Sequence, residues 1–159
     1  MDILSKFGER LSEFIKENNF TIESFSKIVN SNTATISECM RGQHYPELRV
    51  FIAICEYFNC PADYMLGLSD DFPENARFNA VPQFGQRFRY VLKFCGQTQY
   101  SIEKKMPLSG SNVYKWLNGQ SSPSVESLIR LSRFLGVSVD FLLGRTCLLY
   151  TSPSPRDCS

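Results

Sequence analysis

The sequence predicts an all-α protein made of two tandem five-helix units, and three observations carry that prediction. The chain matches itself without gaps at an offset of 77 residues. In each copy the apolar residues recur at three- and four-residue spacings, the period of an amphipathic helix. The residues that start and stop helices stand at matched places in both copies. Identical pairs include Phe7/Phe84, Gly8/Gly85, Arg10/Arg87, Thr21/Thr98, Gly42/Gly119, Pro46/Pro123, Asp63/Asp140 and Gly67/Gly144. Such a shared register of glycines, prolines and apolar positions marks a duplicated unit.

The elements follow in order. Phe7, Leu11, Phe14 and Ile15 form a helical stripe over about residues 3–18, ended by Asn18-Asn19. Thr21 is a good N-cap for a second helix, with Phe25, Ile28 and Val29 inward. A break at Asn30-Ser31-Asn32 precedes a third helix, which Asn32 caps and whose Ile36, Cys39 and Met40 share a face. Gly42 suits the left-handed residue just past its end. Pro46 opens a fourth helix with Leu48, Phe51, Ile54, Cys55 and Phe58 inward, and Pro61 starts a short fifth, closed by Gly67. Thr98, Ser109, Gly119, Pro123, Ser138 and Gly144 repeat these roles in copy two. The predicted layout is copy one over residues 1–68, a linker over 69–83 and copy two over 84–146. Phe72, Phe78 and Val81 are apolar residues able to pin the linker to a domain surface.

The 159 residues are 43% hydrophobic and 21% charged, the composition of a globular chain rather than a disordered or collagenous one. No apolar run approaches the roughly 18 residues that span a bilayer. The start lacks the basic-then-apolar layout of a secretory signal, so a cytoplasmic protein is expected. The chain has 1 histidine, His44, which argues against a His-based triad or a multi-His metal site. No phosphate loop or nucleophile–base pair stands out, so neither an enzyme nor a cofactor is expected. The 6 cysteines form no CxxC pair and read as buried thiols. Charge divides the copies: residues 1–70 carry a net −4 and residues 78–146 a net +6. Such asymmetry points to one half meeting a polyanion, the alternative being drift in solvated surface charge.

The short second and third helices, separated by a tight break, have the helix-turn-helix pattern. Residues 98–119, Thr-Gln-Tyr-Ser-Ile-Glu-Lys-Lys-Met-Pro-Leu-Ser-Gly-Ser-Asn-Val-Tyr-Lys-Trp-Leu-Asn-Gly, resemble the XRE-family domain of phage repressors and Cro proteins. Pro123, the Leu128/Leu131/Leu135 helix and the ending Val137–Gly144 match the family too, and copy one has the same frame at residues 21–67. Both copies depart from the pattern. Ser26 and Glu103 stand where the family has alanine, and Asn30 and Pro107 where the turn has glycine. Proline cannot take the left-handed conformation, so the turn of copy two must differ locally.

The resemblance implies two lambda-repressor-like domains in a sequence-specific transcriptional regulator, expected to be a repressor, with double-stranded DNA as partner. In that geometry the third helix enters the major groove with its N-terminal residues at the base edges. Carried over by position, the candidates in copy two are Ser109, Gly110, Ser111, Asn112, Tyr114 and Lys115, with Gln99 bracing a phosphate at the start of the second helix and Asn118 at the backbone. Asn112 suits adenine, and Lys115 suits guanine or a phosphate. Arg87, Arg89, Gln120 and Ser122 are further backbone candidates, although Arg87, repeated as Arg10 in the acidic copy, reads first as a scaffold arginine, and Trp116 reads as core.

The matching positions in copy one are Thr33, Ala34, Thr35 and Glu38, with Arg41 and His44 as its phosphate candidates. Glu38 replaces Lys115 and Ile22 replaces Gln99, so copy two should dominate. The alternative is a protein-interaction or dimerisation module in which one or both copies no longer bind DNA. The resemblance leaves open a homodimer or an intramolecular pseudo-dimer. Residues 147–159 resemble a translated sequencing adapter more than the end of such a domain, so they are expected to be a non-native tail.

Overall fold

The structure, a computed structural model, describes residues 2–73, 75–106 and 110–146. Among them are ten α-helices and no strand. The chain divides between Arg77 and Phe78 into two compact units. The first holds α1 (Ile3–Glu17), α2 (Ile22–Ile28), α3 (Thr33–Met40), α4 (Leu48–Phe58) and α5 (Ala62–Met65). The second holds α6 (Phe84–Phe94), α7 (Gln99–Lys105), α8 (Gly110–Leu117), α9 (Val125–Leu135) and α10 (Val139–Leu143).

The second-helix caps of both units, the Asn32 cap and the Ser138 cap fall where the sequence places them. Thr21 and Thr98 each close a capping box with the serine three residues on, Ser24 and Ser101. The Asn32 side chain accepts from the Thr35 amide at 2.8 Å, and Ser138 accepts from Phe141 at 3.0 Å. Each such cap satisfies an orphan amide and contributes about 1 kcal/mol. Gly42 and Gly119 sit at φ 70° and 75°, just past the third helix of each unit. Two expectations need correcting. Pro46 and Pro123 do not open the fourth helices, which have Glu47 and Ser124 as N-caps. In unit two Ser124 supplies the oxygen acceptor that proline lacks, bonding the Ser127 amide at 3.1 Å. Ile28 is not inward but 41% exposed, because the buried stripe of α2 centres between Phe25 and Val29.

The chain leaves the second helix differently in the two units, Val29 at φ −94°, ψ 8° standing where unit two has Met106. In unit one Asn30 takes the left-handed conformation at φ 54°. In unit two the last described residue before the turn, Met106, is extended at φ −101°, ψ 141°. The ring of a following proline disfavours the helical region there. Pro107 and Ser109 themselves lie outside the described residues, as do residues 147–159.

Matched positions fill the two cores. Leu11, Phe25, Ile36, Phe51 and Ile54 are fully buried in unit one, and their counterparts Phe88, Ile102, Val113, Leu128 and Leu131 are fully buried in unit two. Cys39, Cys55 and Cys60 are buried thiols, and Cys95 is half-buried. Burial pushes the Cys39 thiol up to about 12, with the Glu38 carboxylate adding to the shift.

Two scaffold contacts set the third helix of each unit. Gly8 and Gly85 let the first helix approach closely, since a Cβ on Gly8 would lie 2.9 Å from the Cys39 carbonyl oxygen and one on Gly85 2.6 Å from that of Trp116. The end of the helix is then capped from the same side. Ser12 donates to the Met40 carbonyl at 3.4 Å, and at the matched place Arg89 donates to that of Leu117 at 3.1 Å.

Residues 69–77 belong to unit one and residues 78–83 to unit two. The Phe72 ring lies 5.0 Å from Tyr64 and 5.8 Å from Phe14, and Asn59 donates to the Ala76 carbonyl. Phe78 lies under the Arg145 guanidinium at 4.2 Å, and the Asn79 amide donates to the Arg145 carbonyl.

Candidate nucleic-acid interface

The outward face of α8 follows from its phase. A residue advances by about 100° along a helix, so Asn112 and Lys115 share one side while Val113, Trp116 and Leu117 share the other. Val113, Trp116 and Leu117 are buried and Asn112, Lys115 and Asn118 are exposed. Trp116, 4% exposed, is a core residue as the sequence implies. Tyr114 at the margin is 52% exposed. Gly110 opens the helix, Ser111 stands in its first turn, and Lys115 is the basic residue of its last turn.

On α7, Gln99 is the first helical residue and half-buried. Its amide donates to Glu103 at 2.8 Å, so the carboxylate at the family's alanine position fixes the glutamine side chain. Tyr100, 68% exposed, lies beside it with the Lys104 ammonium 5.6 Å from its ring. Lys104 and Lys105 form the basic last turn of α7. Composition alone gave this cluster no role. Its signal in the sequence is the repeat, since Tyr100 and Lys105 stand where copy one has Glu23 and Ile28.

Unit one presents a different face. Thr33, Ala34 and Arg41 are exposed, and Thr35 and Glu38 are half-buried. The Glu38 carboxylate is tied to His44 at 2.5 Å. Glu23 neutralises Lys27 at 3.7 Å, so the lysine matched to Lys104 is paired within its own helix. Ile22, where copy two has Gln99, is half-buried.

Two of the arginines considered for the DNA backbone are scaffold residues. Arg87 donates twice to the Phe141 carbonyl, at 3.0 and 2.8 Å, and its guanidinium stacks on the Tyr90 and Phe141 rings. Arg10 does the same in unit one, bonding the Tyr64 carbonyl and, at 2.8 Å, that of Ser69. Arg89 is committed to the end of α8, 3.4 Å from the Asn118 side-chain oxygen. The sequence concealed one further scaffold element, a buried ion pair of Asp140 with Arg145 at 2.8 Å. Copy one has Asp63 at the first position but Leu68 at the second.

Among the described residues no group of three His, Cys, Asp or Glu side chains is placed to hold a metal. No helix among them is long and apolar enough to cross a membrane.

Residues 10–69 match the family model of the Cro/C1-type HTH DNA-binding domain, and residues 96–142 match that of the helix-turn-helix family. No curated protein and no solved structure matches the chain. Each match spans the second and third helices of one unit, so the exposed faces of α3 and α8 are those of helix-turn-helix third helices. Domains of this kind belong to DNA-binding regulators and are typically not enzymes.

Proposed function

The chain carries two tandem helix-turn-helix domains of the XRE, Cro/C1 type, and from this premise we propose a sequence-specific transcriptional repressor in which unit two supplies most of the grip on DNA. The observation that carries the reading is the face of α8. Asn112 and Lys115 stand exposed on it, while Val113 and Trp116 anchor its back in the core. An asparagine suits the N6/N7 edge of adenine, and a lysine suits guanine or a phosphate. By the family's register Ser109, Gly110 and Ser111 are assigned to the base-facing end, with Tyr114 at its edge. Gln99, held by Glu103, lies at the start of α7 where a phosphate would pass, and Asn118 with Lys104 extends the backbone contact. In unit one Thr33, Ala34, Thr35 and Arg41 offer weaker contacts, and Glu38 brings a carboxylate towards the phosphates.

The proposed organisation takes residues 1–68 and 84–146 as the two domains, 69–83 as a linker whose two parts pack on the unit each adjoins, and 147–159 as a foreign tail. A tail-free chain, residues 1–146, should match the full chain in helicity and in DNA binding. An electrophoretic shift assay against random duplex and against duplex selected from a random pool tests the function. Preferential retardation of the selected duplex is expected. Failure to retard either would favour the second reading, a protein-interaction module. That reading draws support from unit one, where Glu38 and Ile22 replace Lys115 and Gln99.

A further inference from the structure

The pair formed by Glu38 and His44 has a property that ion-pair geometry alone does not give. His44 is the single histidine of the chain. Its Nε2 lies 2.5 Å from a Glu38 carboxylate oxygen, and its Nδ1 lies 3.2 Å from the Tyr45 carbonyl oxygen. A carboxylate and a carbonyl only accept. A neutral imidazole carries one N–H and one acceptor nitrogen, so it satisfies one of these neighbours; an imidazolium donates to both. The surroundings of His44 are thus complementary to its cation.

The position matters as much as the geometry. Glu38 stands where copy two has Lys115, and His44 stands where copy two has Ser121. The two differences between the copies therefore meet in one contact, on the face of α3 that corresponds to the proposed DNA face of α8. The two side chains are 37% and 48% exposed, and a pair that solvated contributes little to folding. Its consequence lies in the charge that α3 presents.

The charged groups on the neighbouring elements are engaged elsewhere or exposed. On α1, Lys6 lies against Gly67 and Arg10 against Tyr64, while Glu9 and Glu13 are exposed. On α2, Glu23 and Lys27 pair with each other. Before α4, Glu47 pairs with Arg49. Arg41, at the end of α3, is exposed.

Resting on the DNA-binding reading above, we infer that His44 is a positioning residue for Glu38: as an imidazolium it holds the carboxylate and cancels its charge, so that unit one meets the DNA backbone without repulsion only while the proton is bound. Histidine is the side chain that changes charge between about pH 5 and 8. DNA binding and proton binding are then linked, each favouring the other. With His44 cationic, the second carboxylate oxygen of Glu38 remains an acceptor suited to a cytosine amino group. With His44 neutral, an uncompensated negative charge faces the phosphates.

The experiment measures affinity of the full chain for a duplex selected from a random pool at pH 6, at fixed salt, over pH 6 to 8. The proteins are the wild type, His44→Gln and Glu38→Gln, with far-UV helicity checked for each. Wild-type affinity should fall roughly three- to tenfold across this range, as loss of one linked proton allows. His44→Gln should show a flat profile at the weak level the wild type has at pH 8. Glu38→Gln should be flat at or above the wild-type level of pH 6. A flat wild-type profile, or one pH slope shared by all three proteins, overturns the inference and leaves DNA binding standing. Absence of binding by every protein at every pH overturns both.

Discussion

Copy one and copy two are the same scaffold carrying opposite surfaces. The threonine capping boxes, the glycines under the third helix, the arginine on the carbonyl of the last helix and the fully buried core positions recur in both. The faces that α2–α3 and α7–α8 present do not recur. Gln99, Tyr100, Lys105 and Lys115 stand in copy two where copy one has Ile22, Glu23, Ile28 and Glu38. Lys27 and Lys104 are identical, yet Glu23 neutralises the first while the second lies over a tyrosine ring. The lesson is that a duplicated fold keeps most of the residues that pack or cap, while the exposed faces of its second and third helices diverge freely.

The comparison can be broken or sharpened by substitution. The largest effect should come from Arg145→Leu, which gives copy two the residue that copy one has at Leu68. It leaves Asp140 buried without its ion-pair partner and should cost unit two about 3–5 kcal/mol in denaturant unfolding. A loss under 1 kcal/mol would show that the buried pair is dispensable and the two scaffolds equivalent there.

Next, Asn112→Ala and Lys115→Ala should each weaken binding to the best site by about 1–3 kcal/mol if they touch bases. Thr35→Ala should weaken it much less, Glu38→Ala should cost next to nothing, and Glu38→Lys should tighten it. Equal losses from both copies would cancel the asymmetry.

Thr21→Ala and Thr98→Ala should each cost about 1 kcal/mol of stability, alike in the two copies. A large difference between them would show that the shared scaffold is not energetically equivalent. The smallest effect is electrostatic. Lys104→Gln should reduce the slope of log K against log salt by about 0.9, whereas Lys27→Gln should leave it unchanged. A change on losing Lys27 would mean that its pairing with Glu23 opens on the DNA.

The sequence reveals the scaffold better than the interface, for a physical reason. Helix starts at Thr21, Asn32, Thr98 and Ser138 are local chemistry, an oxygen acceptor beside orphan amides, and local chemistry is written in short stretches of sequence. The fourth-helix starts misled because proline signals a boundary without fixing which neighbour caps it. The scaffold role of Arg87 is legible in its repeat at Arg10, whereas Arg89 has no such counterpart and its carbonyl partner lies 28 residues away. The Glu38–His44 and Asp140–Arg145 pairs are local in sequence and were hidden for another reason: an ion pair is a meeting of side chains, and spacing alone does not announce it. Gly8 and Gly85 are the converse. Their identity was visible at once, but the close approach of the first helix to the third had to be seen before the identity had a cause.

The central claim is the division of labour between the copies, and footprinting of the full chain on its selected duplex, with salt titration, tests it most directly. The account predicts one strongly protected half-site and a slope of log K against log salt on the order of −3 to −5. That protection should be lost in Asn112→Ala and kept in Thr35→Ala. Two equally protected half-sites one turn, about 34 Å, apart would contradict it, with Thr35→Ala as damaging as Asn112→Ala.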